Sequence, residues 1–313
     1  MNANELRWMK SEPLTSHLEI VRVLKQFTPN ESTTSWNIKW IGQGYQARLF
    51  LAQCKRDFVV PPVEHTVVVK LYKQAVAEDR EAFLSERNGL SILSESLPKN
   101  VCGGWTIRSP VLLYVSDNPM ALVMSTLPGV SLDVWLHSNV PAATETESLV
   151  EAVLASLQVL WSEGFMYGDL NLKNILYDSA TRTLSFIDPG LPAEYYRCAD
   201  VSQNHCPMSR DIAYLLFSVA VSVKSTLGNP AARKRQKFVA SSLVRRYFES
   251  FGSRQQQTTF LDEVRLCIET HLQELNCSWS PAGIWRHLVK QITQRSLNRT
   301  LGQLADERYE VPL

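Results

Sequence analysis

Apolar and polar positions alternate with a period near two in the first third of the chain. Asn37–Trp40, Arg48–Gln53 and Thr66–Leu71 are short runs rich in branched and aromatic residues, which predicts strands. Pro61 and Pro62 mark a loop before the last of them. An amphipathic stretch, Leu14–Phe27, precedes the strands, and its stripe Leu14, Leu18, Val21 and Leu24 predicts a helix that packs on its own chain. From Ala75 to Leu97 the period lengthens: Phe83, Leu90, Leu93 and Leu97 fall on one helical face. Ala121–Met124 predicts a strand, followed by a turn at Leu127-Pro128-Gly129. Residues 138–148 are polar. Thr144 with Glu147 three positions on predicts a capping box for the next helix. That helix buries Leu149, Val150, Val153, Leu154, Leu157, Leu160 and Trp161 and ends at Gly164. Ile175–Tyr177 and Thr183–Ile187 predict a short hairpin. After Asp211 the pattern is helical nearly to the end, with a break at Ser278–Gly283. The order is strands with one helix first and mostly helices afterwards, with the boundary near Leu127–Ser131.

Two charges interrupt these apolar patterns. Glu86 falls on the stripe between Phe83 and Leu90, and Lys70 ends the run Val67-Val68-Val69. A carboxylate on a buried face is costly unless a cation or donor meets it. Each charge alone is explained by a side chain reaching out to water. Together, on a strand and the helix that follows it, they are explained by one partly buried ion pair.

Composition narrows the function classes. The chain has 313 residues, 45% hydrophobic and 20% charged, which excludes disorder, collagen and coiled coil as overall descriptions. Thirty-two basic and thirty-one acidic residues leave a net charge of +1, which argues against a dedicated DNA binder. No apolar run is long enough to span a bilayer, and Met1–Glu12 has no secretory h-region. The six cysteines form no CxxC pair, so reduced thiols in the cytoplasm are the expectation.

Three constellations carry candidate chemistry. Gly42 and Gly44, in Ile41-Gly42-Gln43-Gly44-Tyr45-Gln46-Ala47, lie between two strands, where absent side chains let a backbone approach a phosphate. By itself a Gly-x-Gly there is a turn, and no helix follows directly, as a dinucleotide fingerprint requires. The second constellation is Lys70 with Glu86. The third is Tyr167-Gly168-Asp169-Leu170-Asn171-Leu172-Lys173-Asn174 followed by Ile187-Asp188-Pro189-Gly190. Asp169, Asn174 and Asp188 are hard oxygen donors suited to Mg²⁺ on phosphates, and a further carboxylate near an acceptor hydroxyl can take its proton. Either piece of the third constellation alone is ordinary loop chemistry. Both pieces downstream of a Gly-x-Gly and a strand lysine point to phosphoryl transfer.

Taken in order from about Trp40 to about Lys224, these motifs resemble the protein-kinase-like superfamily, atypical branch: aminoglycoside and choline phosphotransferases, lipopolysaccharide-core kinases and small ancient protein kinases. The resemblance implies an α+β, bilobal protein-kinase-like fold. Residues 1–35 would be a helical extension, 36–127 a small antiparallel-sheet N-lobe with one helix, and 128–313 a larger helical C-lobe. It implies ATP and Mg²⁺ as cofactors and γ-phosphate transfer to a hydroxyl on a small molecule, sugar, lipopolysaccharide or protein. Gly42, Gly44 and Ala47 resemble the Gly-rich loop. Lys70 resembles the lysine of the α/β-phosphates and Glu86 its partner. Met124 and Thr126 lie in the likeness of the hinge that meets adenine. Asp169 resembles the catalytic base, Asn174 and Asp188 the metal ligands, and Asp211 the buried aspartate that braces the catalytic loop.

The chain also departs from the family pattern. Tyr167 stands where histidine is usual, Pro189 where DFG has Phe, Asn171 where Ser/Thr kinases have lysine, and no Ala-Pro-Glu precedes Asp211. Tyr167, Ala47 and Pro189 support an alternative, a pseudokinase scaffold or nucleotide sensor, although every charge needed for chemistry is present. An atypical protein Ser/Thr kinase is the alternative within enzymes. The cluster Arg233, Lys234, Arg235 and Lys237 reads as a solvated helix face or as a dock for an anionic substrate or membrane surface. Cys198, His205 and Cys206 are too few and too poorly spaced for structural zinc.

Overall fold

The structure, a computed structural model, describes residues 13–28, 36–44, 46–54, 66–73, 77–97, 100–101, 104–190, 207–221 and 229–274, with scattered positions between 291 and 302. Tyr45, Cys198, His205, Cys206, Trp279, Trp285 and the 278–283 break lie outside the described residues. The chain forms two compact units, one of residues 1–95 and 109–127, the other of 96–108 and 128–313.

The first unit is a five-stranded antiparallel sheet between two helices. Its strands are β1 (Trp36–Gln43), β2 (Ala47–Cys54), β3 (Thr66–Tyr72), β6 (Leu112–Asp117) and β7 (Met120–Ser125), in the order β1-β2-β3-β7-β6. The helices are α1 (Pro13–Phe27) and α2 (Ala77–Ser96). Successive side chains of a strand point to opposite faces, and the burial follows that rule. Val67, Val69 and Leu71 join Ala121, Val123 and Ile20, Val23 and Leu24 of α1 in one core. Tyr72, Leu122 and Met124 join Ala47 and the α2 residues Phe83 and Leu90 in the other. The buried face of α1 is not the expected stripe: Leu18 is 65% exposed, while Ile20, Val23 and Leu24 are fully buried. The two candidate stripes overlap at Leu24, and the sheet takes the one that also brings Ser16 to the buried Arg48, whose guanidinium donates to it.

The second unit is mostly helical around a small mixed sheet. The sheet has the order β4-β5-β10-β9-β8, from β4 (Asn100–Val101), β5 (Trp105–Arg108), β8 (Val130–Ser131), β9 (Ile175–Asp178) and β10 (Thr183–Phe186). β9 and β10 are the expected hairpin. β5 runs parallel to β10, a pairing that brings residues 96–108 into this unit. The helices are α3 (Leu132–Ser138), α4 (Ala143–Ser162), α5 (Pro207–Val221), α6 (Pro230–Glu249) and α7 (Arg254–Glu274). The buried stripe of α4 contains every residue expected from its period. The capping box is corrected: α4 begins at Ala143, its N-cap is Ala142 without a side-chain bond, and Thr144 lies inside the first turn. The start after Pro141 leaves Thr146 to bond back to the Ala142 carbonyl instead.

The fold class is therefore the expected α+β, with an antiparallel sheet first and helices after it. No helix among the described residues is long and apolar enough to cross a membrane. Neither Cys54 nor Cys267 is in a disulfide.

Candidate functional site

Lys70 and Tyr72 alternate onto the same face of β3, the one covered by α2. Glu86 on α2 meets both. Its Oε2 lies 2.6 Å from Lys70 Nζ and accepts the Tyr72 hydroxyl. Lys70 and Glu86 are 8% and 7% exposed, so the ion pair forms with little water. The ammonium also lies 5.7 Å from the Tyr72 ring centre, and Phe83 stacks edge-on against that ring. Two misplaced charges thus resolve into one buried pair, as their spacing implied. Tyr72 was missed by the sequence reading, although its place two residues after Lys70 was the available signal.

Gly42 lies near the end of β1, paired with Leu49, and Gly44 in the turn that follows, closed by the Gly44 N–H donating to the Ala47 carbonyl at 2.8 Å. Neither glycine has a positive φ, and a Cβ at either would make only ordinary contact, 3.8 Å from Leu49 and 3.7 Å from Ala47. The turn itself does not require glycine there. Gly129 is the contrast: its φ is +96° and an added Cβ would sit 2.6 Å from the Tyr177 carbonyl. Ala47 and Met124 are packed in the core beneath α2, and Thr126 is exposed just beyond β7.

The other constellation lies in the second unit, on the loop between α4 and β9. Gly164, in the left-handed region, turns the chain out of α4. Asp211, at the buried start of α5, then fastens the loop's backbone. Its carboxylate accepts from Tyr167 N at 2.9 Å, Gly168 N at 2.8 Å and Trp161 Nε1 at 2.8 Å. Burial pushes the Asp211 carboxyl up to about 6 against these three donors. Tyr167 is fully buried, and its hydroxyl donates to the Ile187 carbonyl while lying 3.3 Å from the Asn174 carbonyl. Gly190 N bonds back to Tyr167 O at 2.9 Å, and Ile187 N to Asn174 O at 2.9 Å. The tyrosine therefore ties the loop to the segment carrying Asp188.

Asp169 stands on this frame. Asn171 Nδ2 donates to its Oδ1 at 2.8 Å, and Asn174 Nδ2 to its Oδ2 and its carbonyl, both at 2.9 Å. Asn171 also caps the short 3₁₀ turn Leu172–Asn174 through Lys173 N. Loss of water around Asp169 raises its carboxyl above the ordinary value, the Asp188 charge adds to that, and the Tyr214, Asn171 and Asn174 donors oppose it. The amide nitrogen of Asn174 is committed to Asp169, so its oxygen is the group left for a cation. Asp188 follows β10 with φ 54°, a left-handed conformation that costs a non-glycine residue about 1–2 kcal/mol. Two carboxylates whose charges repel and an amide oxygen are, in their chemistry, a donor set that suits Mg²⁺. Asn171 and Tyr214 were not singled out as site residues from the sequence.

The basic cluster on α6 divides. Arg235 turns inward, its Nε 2.7 Å from the Leu136 carbonyl and its Nη2 2.8 Å from the His137 carbonyl, closing the C-terminal end of α3. This corrects its expected place in a surface dock. Burial lowers the Lys237 pKa, and Arg233 and Arg299 lower it further.

No protein-family model matches the chain, and neither does any curated protein sequence. Among solved structures, the chain is similar to the PknI kinase domain of Mycobacterium tuberculosis. It is 14% identical to that domain, with a TM-score of 0.43, covering 74% of this chain and 96% of the other. A double mutant of the same domain gives 15% identity with the same coverage and TM-score.

Proposed function

We propose that the chain is an ATP- and Mg²⁺-dependent phosphotransferase that moves the γ-phosphate to a hydroxyl acceptor. The observation that carries this reading is the locked pair Asp169–Asn174. One carboxylate is oriented by amides of its own loop, one of those amides keeps its oxygen uncommitted to that bond, and the charge of a second carboxylate, Asp188, is near enough to raise the first. Such a set orients a nucleophile and ligates a hard cation together. Asp169 would orient the acceptor hydroxyl and take its proton. Asn174 and Asp188 would hold Mg²⁺, which when bound neutralises charge on the triphosphate oxygens. Lys70, fixed by Glu86 and Tyr72, would hold the α/β-phosphates. Gly42, Gly44 and Ala47 would let the turn's backbone cover them, since the turn has no structural need of its glycines. Met124 and Thr126 would lie nearest the adenine. Positioning and charge stabilisation would supply most of the rate.

An anionic acceptor or membrane surface would meet Arg233, Lys234 and Lys237, with Arg235 spent on α3. The test is transfer of labelled γ-phosphate from Mg·ATP to a panel of proteins, sugars including lipopolysaccharide, lipids and aminoglycosides. Transfer to one class supports the reading and names the acceptor. Tight Mg·ATP binding without turnover on any class would favour the nucleotide-sensing pseudokinase instead.

A further inference from the structure

Helix α6 concentrates charge that the rest of the chain balances. The chain carries a net charge of +1, yet the 20 residues of α6 hold six cations, Arg233, Lys234, Arg235, Lys237, Arg245 and Arg246, against one acid, Glu249. Two of the six are committed. Arg235 closes the end of α3, and Arg246 pairs with Glu151 at 2.6 Å and with Glu249 at 3.9 Å. The helix packs on its unit through the buried Gln236, Val239, Ala240, Leu243 and Tyr247. At about 3.6 residues per turn, Lys234, Phe238 and Arg245 fall on the opposite side, and all three are exposed. They stand in one line along the axis, with Phe238 about 6 Å along it from Lys234 and about 10 Å from Arg245. Phe238 is 59% exposed, and no carboxylate precedes Glu249 on the helix.

A single exposed apolar side chain is ordinary on a protein surface. Phe238 differs in its setting: a phenyl ring with no polar atom stands in the middle of a cationic ridge, with Arg233 and Lys237 partly exposed beside it. A free phosphate or a run of acidic residues offers the cations a partner and the ring nothing. A nucleic acid could stack on the ring, but a chain of net charge +1 lacks the broad positive field such binding needs. The surface of a bilayer with anionic lipid serves both, because headgroups meet lysine and arginine and the acyl boundary takes the ring. We propose that the ridge of Lys234, Phe238 and Arg245 docks the chain on such a surface, the ring entering the headgroup boundary. The inference narrows the anionic dock of the phosphotransfer reading to one partner. It rests on that reading only for the dock's purpose, and vesicle binding is measured without nucleotide.

The full chain is sedimented with vesicles of phosphatidylcholine alone and of phosphatidylcholine mixed equally with phosphatidylserine, and the melting temperature is read on each sample. The expected result is binding to the anionic vesicles that weakens as salt is raised, with little binding to the neutral ones. Phe238→Ser should weaken it about tenfold, as one apolar side chain is withdrawn from the boundary. Lys234→Ala with Arg245→Ala should weaken it about 25-fold, roughly fivefold for each cation near a charged leaflet. Neither change should move the melting temperature, since the side chains are exposed, and Phe238→Trp should keep the binding. Absence of binding to the anionic vesicles would overturn the inference. So would binding that Phe238→Ser leaves intact, which marks a bare electrostatic patch, or a fall in melting temperature for Phe238→Ser, which returns the ring to the packing of the fold. Polyglutamate or single-stranded DNA bound as tightly as the vesicles would also overturn it, assigning the ridge to a soluble polyanion. A chain that docks on vesicles but transfers no phosphate from Mg·ATP defeats the phosphotransfer reading and leaves this inference standing, and the converse defeats this inference alone.

Discussion

In the first unit one carboxylate, Glu86, gathers a lysine and a tyrosine from a neighbouring strand. In the second, Asp211 is held by three donors and the Asp169 carboxylate by two amides, and the loop that carries Asp169 is tied again through Tyr167, Ile187 and Gly190. The first centre joins two elements through one carboxylate: if α2 shifts on the sheet, Lys70 and Tyr72 lose their contact with Glu86. The second is over-determined, because backbone, amides and a helix all specify the same geometry. The difference separates the tasks. A cation that grips a flexible triphosphate needs a charged partner to hold it. A base that must meet a hydroxyl at hydrogen-bond distance needs its direction fixed from several sides.

Breaking the second centre at its root should have the largest effect on folding. Asp211→Ala strands three buried donors, each worth about 1–3 kcal/mol when unsatisfied, so a loss of roughly 5 kcal/mol is expected by chemical denaturation. A loss no greater than that of an exposed substitution would show that the loop is held by something else.

The first centre should break more gently and in two separable steps. Lys70→Met leaves Glu86 buried without its cation, at a cost of about 3–5 kcal/mol. The double change Lys70→Met with Glu86→Leu removes both charges and should recover most of that stability, yet leave ATP turnover lost. If the double variant regains turnover along with stability, the pair is structural only.

The smallest effects come from the glycines and sharpen the same contrast. Gly129→Ala forces a side chain into a left-handed position against the Tyr177 backbone and should cost at least about 1–3 kcal/mol. Gly44→Ala meets only ordinary contact and should leave the melting temperature in place while weakening ATP turnover. Equal melting and equal turnover for Gly44→Ala would return the Gly-x-Gly to an ordinary turn.

Much of this was legible in the chain, for reasons that differ by element. The stripe of α4 and the pairing of Lys70 with Glu86 rest on strong local period and on charges that violate it. Both survive folding because burial enforces them. The face of α1 was misread because two stripes share Leu24, and only the sheet decides between them. The parallel pairing of β5 with β10 joins segments about 75 residues apart and leaves no local trace. Residue identity showed which groups could do chemistry, and the fold supplied their aim.

The account depends most on Asp169. Transfer of γ-phosphate and binding of Mg·ATP, measured on one preparation of Asp169→Ala, test it directly. The expected result is transfer reduced by roughly 10²–10⁴-fold, the usual contribution of a positioned general base, with nucleotide affinity retained. Transfer at close to the wild-type rate would contradict the role given to Asp169 and, with it, the reading of the whole loop.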